Sequence, residues 1–472
     1  MKVNSSKFSP NRSLSGARLA TSVAFGALGM VALSPQASAS GFATARFGGE
    51  HGHPTTSNPT AIYYNPAGIA ESEGFHIFVD ANVAFRSATF DHAFNPETDV
   101  VEPPGAAGAN TGKATLSNVA VAPMIGATGK FGDFALGLGF YVPFGGSSTW
   151  DKDEDFAEHP RWPGPVDGEQ RWYSIEGTLR SFFWTLAGAY KIPNTGLSLG
   201  LGLNLIRSSI HTIRARTSVG DNSVEQEGRS FIDVGDWAWS FGVGAMYEAI
   251  PKKLFFGASY QSRPNVAGGM RLDGQLHNYF DGESETEVDV HQDLPDIIRL
   301  GLRWAPRENI ELRLFGDWTR WSAFDKQCLV EVDAEDCDVN DDGSSKSDPQ
   351  PIQNLPRDWD DAWGIRVGGS YWVDPKVEIF TGLGYDSNAI PDESLDPALT
   401  DFHDISVAIG GRFTIIKQLA AAVSYTHFFY FERDTNGDSI NAEYLPPSTG
   451  PDAGGIYTQR VGVVNVNLEA MF

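Results

Sequence analysis

The clearest candidates for chemistry in this chain are two cysteines. Cys328 and Cys337 are its only cysteines, and both fall in one long polar stretch. A metal site would need more ligands, whereas a cysteine pair in a secreted protein favours a disulfide bond that closes a short loop. We therefore predict a disulfide between Cys328 and Cys337.

The same stretch contains half of a calcium-binding pattern. Asp338, Asn340 and Asp342 occupy alternate positions, and Gly343 stands at the sixth. Such a loop normally ends with a glutamate at the twelfth position, which is Pro349 here. A structural calcium site is a hypothesis for these residues, and an ordinary solvated acidic loop is the default interpretation. No other cofactor is expected.

Motifs for catalysis are missing. The chain has no Gly-x-Ser-x-Gly element and no paired-histidine zinc motif, and His51-Gly52-His53 is too sparse for a metal centre. We expect no enzyme. The remaining alternative is a lipase or protease built on a barrel rim, but nothing marks a nucleophile and base.

The first 39 residues are typical of a cleavable signal peptide. Four basic residues precede or open an apolar stretch over 19–33, and Ala37-Ser38-Ala39 is a small-residue cleavage site. This stretch is short for a membrane-spanning helix, which needs about 20 apolar residues. We predict a signal peptide over 1–39, with a retained anchor as the alternative.

Charge and hydropathy narrow the class of protein. The net charge of −25 opposes nucleic-acid binding, which needs a basic face. No later segment has the 18 or so consecutive apolar residues of a membrane helix. A closed β-barrel is the other structure that satisfies every backbone group in lipid. The 51 glycines and 12% aromatic residues fit such a barrel.

Alternation with period two runs from residue 74 to the end. In Leu197–Leu205 every odd residue is leucine and every even residue is small or polar. We count about fourteen strands, the third over 133–144 and the fourth over 171–191. A water-soluble sandwich has the same periodicity, but the connections alternate between short turns and long acidic loops, as in outer-membrane barrels. The predicted fold is therefore an all-β, transmembrane, antiparallel barrel.

The C-terminal strand also indicates an outer-membrane barrel. Apolar residues alternate with polar ones along the last strand, and the chain ends on Phe472. An aromatic residue at the end of the last strand resembles the terminal signal of bacterial outer-membrane barrels. We predict the outer membrane of a Gram-negative bacterium.

An ordered series of weak motifs then resembles the FadL/TodX family of outer-membrane transporters of long-chain fatty acids and aromatic hydrocarbons. The motifs, in chain order, are Gly41-Phe42, Tyr64-Asn65-Pro66-Ala67-Gly68-Ile69, Leu294-Pro295, Trp321-Ser322-Ala323-Phe324, Asp361 to Gly368, Thr381 to Asp386, and Phe472.

The resemblance implies an N-terminal plug inside the barrel. Residues 40–72 would form this plug and residues 73–472 the fourteen-stranded barrel. The plug and gating residues would be Phe42, Asn65, Pro66, Ala67 and Gly68. Read without the resemblance, a turn at Asn-Pro ahead of the strands suggests a plug, with an ordinary loop as the alternative.

In the family, ligand leaves sideways beside a kink in the third strand. The corresponding residues here are Gly137, Gly139 and Pro143. Proline cannot donate to a strand ladder and glycine weakens one, so a local break is expected. A proline that simply ends the strand is the alternative.

The expected partner is a hydrophobic small molecule, a fatty acid or hydrocarbon, bound by a monomer surrounded by outer-membrane lipid or, once purified, by detergent. An apolar pocket with an arginine for a carboxylate would suit a fatty acid. The inward-facing candidates are Arg299, Arg303, Arg313 and Arg366; the alternative is that each pairs with an acidic residue on the inner wall. A surface adhesin or receptor that uses its acidic loops and transports nothing is the competing function.

Overall fold

The computed structural model of the protein describes residues 46–472 apart from residues 267–268, 333 and 335. The predicted signal peptide and Phe42 lie outside the described residues. The described strands are β1 (Phe75–His92), β2 (Gly112–Phe131), β3 (Phe134–Thr149), β4 (Glu176–Lys191), β5 (Leu197–Arg216), β6 (Gly228–Ile250), β7 (Leu254–Gln261), β8 (Met270–Asn278), β9 (Ser284–Gln292), β10 (Ile297–Arg307), β11 (Ile310–Thr319), β12 (Lys326–Glu331), β13 (Gln353–Pro356), β14 (Ala362–Asp374), β15 (Val377–Asp386), β16 (Asp404–Ile416), β17 (Leu419–Tyr430), β18 (Arg433–Asp434) and β19 (Ile456–Met471).

Helices are short and few in the described part of the chain. They are one α-helix, Ala61–Tyr64, and the 3-10 helices Gly49–His51, Pro66–Glu71, Glu154–Phe156, Gly164–Asp167, Glu169–Trp172, Trp321–Ala323 and Asp392–Ser394. None of them is long and apolar enough to cross a membrane.

The strands close into one antiparallel ring, because β1 pairs with β2 on one side and with β19 on the other. Five pairs of consecutive strands continue each other along the ring: β7 with β8, β9 with β10, β11 with β12, β13 with β14, and β17 with β18. For example, β6 pairs with both β7 and β8. The ring therefore has fourteen strands, and the predicted fourteen-stranded barrel is confirmed.

The predicted alternation separates the two faces of the wall. On β5, Leu199, Leu201 and Leu203 point outward and are about half exposed, whereas Ser198 and Asn204 on the other face are buried. An outward apolar face suits lipid, and an inward polar face lets the wall hydrogen-bond inside the barrel.

Turns at one end are tight. Gly132, Asn194 and Lys252 each have a positive φ, the left-handed conformation that a chain needs to reverse within a few residues. At the other end the connections are long, over residues 93–111, 150–175, 387–403 and 435–455. We refer to these as the short-turn end and the long-loop end.

The fourth strand begins at Glu176 and not at the predicted residue 171. The cause is Arg171, whose fully buried guanidinium donates to both carboxylate oxygens of Glu227, at 2.9 and 3.0 Å. This pairing holds the chain in the 3-10 helix Glu169–Trp172. The third strand also differs from its prediction, since it continues to Thr149.

Residues 46–72, which we call the inner segment, lie inside the ring. Their side chains and main chain meet inward positions on strands all around the barrel. Arg46 pairs with Asp386 of β15, Ser259 of β7 donates to the Tyr64 carbonyl at 2.6 Å, and a Cβ on Gly200 of β5 would lie 2.2 Å from the Ala67 nitrogen. The inner segment thus occupies part of the lumen and contacts the wall on several sides.

Candidate functional site

Asn65 forms hydrogen bonds both within the inner segment and between the inner segment and the wall. Its buried side-chain amide donates to the carbonyls of Pro54, at 2.8 Å, and Ala245 of β6, at 3.0 Å. Its oxygen accepts from the Ala67 amide at 3.1 Å and so caps the 3-10 helix Pro66–Glu71, which begins with proline at its first position. The Asn-Pro-Ala sequence is therefore an anchoring turn.

Gly68 completes this turn by its small size. A Cβ there would lie 2.2 Å from the Thr56 carbonyl oxygen and 2.9 Å from the Ala61 Cβ. Any larger residue would push the two halves of the inner segment apart. Asn65, Pro66, Ala67 and Gly68 all belong to this one turn, and a gating role for them stays a prediction.

A cavity of about 160 Å³, which we call the inner cavity, lies between the inner segment and the wall. Aromatic rings form much of its lining: Tyr63, Tyr64, Phe315, Trp321, Trp359, Trp363, Phe402 and Phe428. Arg46, Arg299 and Arg366 also line it, as do Pro143 and several carboxylates. The cavity therefore combines aromatic surface with a cluster of charged groups, three arginines and five carboxylates.

The four predicted arginines divide into two pairs, one at the cavity and one away from it. Arg299 and Arg366 line the inner cavity, whereas Arg303 and Arg313 do not. Arg303 and Arg313 both lie within 3.6 Å of Glu311, so they form the inner-wall ion pairs that are the alternative to ligand binding.

Arg366 and Arg299 differ in their partners. Arg366 donates to Asp317 at 3.0 Å and to Asp386 at 2.6 Å, so its charge is already balanced. Arg299 is 5% exposed and has its guanidinium carbon 4.4 Å from the centre of the Tyr63 ring. Arg299 donates to the Gln261 side-chain oxygen at 3.4 Å and to the Tyr63 carbonyl at 3.5 Å, and among the described residues no carboxylate forms an ion pair with it.

The wall separates beside this cavity. Pairing between β2 and β3 runs from Phe131↔Phe134 to Met124↔Tyr141 and then stops. Beyond that point β2 pairs with β1 alone, while β3 skips two residues and resumes pairing with β4 at Phe144. Pro123 and Pro143 flank the point of separation, and neither has an N–H to donate.

Gly137 and Gly139 do not interrupt the ladder. They pair with Thr128 and Gly126 of β2 in the regular part of the sheet. A Cβ on either would approach Ile62 of the inner segment to 3.1 Å or less. These glycines therefore make room for the inner segment, and the break lies at Pro143.

Between the end of β2–β3 pairing and the long-loop end, a side chain connects the two strands. Asn118 of β2 donates to the Ser147 carbonyl of β3 at 2.8 Å. Leu116 also forms an isolated bridge with Trp150. The gap therefore lies between Met124–Tyr141 and these contacts near the long-loop end.

The predicted calcium residues remain on the surface. Asp338, Asn340 and Asp342 are exposed, and Asn340 donates to the Ser344 hydroxyl at 2.9 Å. Hydrogen bonds from the Ser344 side chain and amide lower the pKa of Asp342. No group of three or more His, Cys, Asp or Glu residues in the described part of the chain is placed to hold a metal ion. Calcium binding stays a prediction.

The structure joins Cys328 and Cys337 by a disulfide, with their Cα atoms 6.0 Å apart. It ties β12 to the loop that follows this strand.

Sequence reasoning missed the tryptophans of the cavity. Trp321 belongs to one of the family motifs, and the 3-10 helix Trp321–Ala323 turns its ring inward, where it lies 5.1 Å from the ring of Trp359. Both tryptophans lie where a barrel strand is interrupted, Trp321 between β11 and β12 and Trp359 between β13 and β14. Periodicity gives no direction for a side chain outside a strand.

Comparisons with known proteins agree with this geometry. The family model for outer membrane protein transport protein (OMPP1/FadL/TodX) matches residues 19–453. Outer membrane protein P1 of Haemophilus influenzae is 23% identical over 406 residues, which cover 78% of this chain and 80% of that protein. An outer membrane protein of Neisseria meningitidis serogroup B is 23% identical over 402 residues, covering 79% and 80%.

Solved structures share the fold. The crystal structure of a Pseudomonas aeruginosa FadL homologue has a TM-score of 0.73 at 17% identity and covers 92% of this chain and 100% of that one. The toluene transporter TbuX of Ralstonia pickettii has a TM-score of 0.61 at 16% identity, covering 90% and 96%. This chain belongs to the FadL/TodX family of outer-membrane transport proteins, which carry hydrophobic compounds and are not enzymes.

Proposed function

We propose that hydrophobic molecules enter this barrel at its long-loop end, bind in the inner cavity and leave sideways between β2 and β3. The observation that carries this route is the end of main-chain pairing at Met124↔Tyr141, next to a cavity that Pro143 lines. In outer-membrane barrels long loops face the outside and short turns face the periplasm. A sideways exit would deliver the molecule into the membrane itself.

The inner segment argues against a route along the barrel axis. Phe47, Ile62 and Ala67 are at most 4% exposed, so they leave little open space through the lumen. Expelling this segment would break the Asn65 hydrogen bonds and expose its apolar side chains to water. Opening the β2–β3 gap costs far less main-chain pairing, because the pairing is already absent.

The lining of the cavity supports a long-chain fatty acid or an aromatic hydrocarbon as cargo. Each Å² of apolar surface removed from water contributes about 25 cal/mol, and aromatic side chains form much of the lining. Arg299 could also bind a carboxylate. Two structural neighbours, TbuX and TodX, are named as toluene transporters, which supports an aromatic cargo.

One chain closes the ring and lines the whole cavity, and we propose that it acts as a monomer. A transport unit of this kind needs no residue from a second copy. Its measured mass in detergent, once the bound detergent is subtracted, should be that of one chain.

A disulfide across the gap tests the exit. The substitutions Asn118→Cys and Ser147→Cys place thiols where the two strands face each other without main-chain pairing. Oxidation should tie the strands together and lower toluene uptake by cells several-fold, and a reducing agent should restore it.

The matched control ties the same two strands where they are already paired. Ala127 and Leu138 are partners that face lipid, so Ala127→Cys with Leu138→Cys should cross-link without changing uptake. Unchanged uptake with the Asn118/Ser147 cross-link fully formed would contradict the sideways route.

A further inference from the structure

Two further cavities, of about 110 and 100 Å³, lie in the lumen closer to the long-loop end, and we call them the outer cavities. They share the lining residues Gln327, Arg357 and Ala398, so they adjoin each other. Neither contains a lining residue of the inner cavity. They are separate spaces on the side from which a molecule would enter.

Arginines outnumber carboxylates around these cavities. Arg86 and Arg357 line one of them, and Arg214, Arg216 and Arg357 line the other. The carboxylates in the two linings are Asp221 and Asp396. In a chain with a net charge of −25, this is a local excess of positive charge.

The two carboxylates do little to balance the arginines. Asp396 pairs with Arg357 at 2.6 Å, and its other oxygen accepts from main-chain amides. Asp221 accepts from the Thr217 hydroxyl at 2.8 Å. Arg86, Arg214 and Arg216 form no ion pair with any residue in the described part of the chain.

Neutral oxygens hold two of these arginines in place. Arg86 donates to the Gln459 side-chain oxygen at 2.8 Å and to the Thr400 hydroxyl at 2.9 Å. Arg214 donates to the side-chain oxygen of Gln353. Their orientation is therefore fixed while their charge stays uncompensated, which is costly inside a protein.

Three buried donors close to these arginines have no acceptor. They are the Arg214 Nε, the Tyr173 hydroxyl, which lines the same cavity, and the Nε2 of Gln459, the residue that holds Arg86. An unsatisfied buried donor is unfavourable, because it has lost its hydrogen bonds to water and gained none in return. Arginines without a counter-charge and donors without an acceptor both favour a ligand that carries several hydrogen-bond acceptors.

We propose that the outer cavities form a binding site for an oxyanion. A guanidinium fork matches the paired oxygens of a carboxylate or a phosphate. The oxyanion could belong to an apolar acid, since Leu179, Ile210 and Leu399 line the first outer cavity, or it could be a free inorganic ion. This site does not depend on the sideways exit or on the cargo proposed for the inner cavity.

Calorimetry on the purified full-length barrel in a non-ionic detergent tests the site with three probes: benzoate, inorganic phosphate and the neutral benzyl alcohol. We expect at least one anion to bind, with a Kd raised at least tenfold by Arg214→Gln and by Arg86→Gln. Tyr173→Phe should weaken binding several-fold without any change of charge. Benzyl alcohol should show no binding that depends on these residues.

Arg161→Gln is the matched control, because it removes the same charge from an exposed loop residue. Binding of benzoate but not phosphate would assign the site to apolar acids, and binding of phosphate would assign it to free oxyanions. The proposal is overturned if neither anion binds, or if the folded Arg214→Gln and Arg86→Gln barrels bind as tightly as the Arg161→Gln barrel.

Discussion

Arg299 is distinguished from the other predicted arginines by what surrounds it. Arg303, Arg313 and Arg366 are each within salt-bridge distance of a wall carboxylate. Arg299 instead contacts the Tyr63 ring, and no described carboxylate pairs with it. A cation in this state favours an anionic ligand without first giving up a strong partner.

Replacing Arg299 by methionine should separate acidic from neutral cargo. We expect Arg299→Met to reduce oleate uptake about tenfold or more, because a charge-assisted hydrogen bond contributes about 1.5–3 kcal/mol. Toluene uptake should be unchanged. Arg303→Met is the control, since it removes the same charge outside the cavity. Equal loss for oleate in both variants would contradict a carboxylate role for Arg299.

Asn65 offers a second test at the scale of one residue. Asn65→Ala removes two hydrogen bonds to main-chain carbonyls and the cap of the next helix, which should loosen the inner segment. We expect a higher ion conductance in planar bilayers and a lower midpoint of thermal unfolding. Asn58→Ala is the control. The two hydrogen bonds that it removes, which Asn58 accepts from Thr60, lie within the inner segment and do not reach the wall. Equal conductance of the two variants would argue against Asn65 as a wall anchor.

At the scale of the strand, glycines decide how closely the inner segment approaches the wall. On β6 a Cβ at Gly244 would lie 2.0 Å from the Asn65 side-chain oxygen, whereas a Cβ at Gly242 would meet nothing closer than 3.6 Å. The two residues are on one strand and share its inward face. They differ in whether the inner segment touches them.

Substitutions at Gly242 and Gly244 compare the cost of an added Cβ with and without the inner segment in contact. Gly244→Ala should destabilise the folded barrel by about 1–3 kcal/mol, the usual cost of overpacking, and Gly242→Ala should cost much less. Urea unfolding followed by tryptophan fluorescence measures both. Equal destabilisation would show that strand propensity, and not contact with the inner segment, sets the cost.

At the scale of the molecule, we expect the inner segment to decide whether the lumen of the barrel is obstructed or forms an open pore. A variant that lacks residues 46–72 should still fold, because the ring is closed by strand pairing between β1 and β19. We expect it to form wide, ion-conducting pores in planar bilayers, in contrast to the full-length protein. Conductance equal to that of the full-length barrel would mean that the segment does not obstruct the lumen.

Periodicity predicted the barrel because every strand repeats the same two-residue pattern and the loops alternate in length. The family resemblance, and not periodicity, singled out Asn65, Pro66, Ala67 and Gly68, and it gave no contact for any of them. The partners of Asn65 and of Arg299 are residues far away in sequence, such as Ala245 and Tyr63. The buried pairing of Arg171 moved a strand boundary for the same reason.

The glycines that contact the inner segment limit which substitutions the inner wall of this barrel can tolerate. Gly200, Gly244 and Gly257 each face main-chain or side-chain atoms of that segment within 2.2 Å of where a Cβ would be. The lipid face meets only a fluid and can exchange one apolar residue for another. Random mutagenesis should therefore find few tolerated substitutions at these inward positions and many on the outward positions beside them, and second-site suppressors should map to the segment inside.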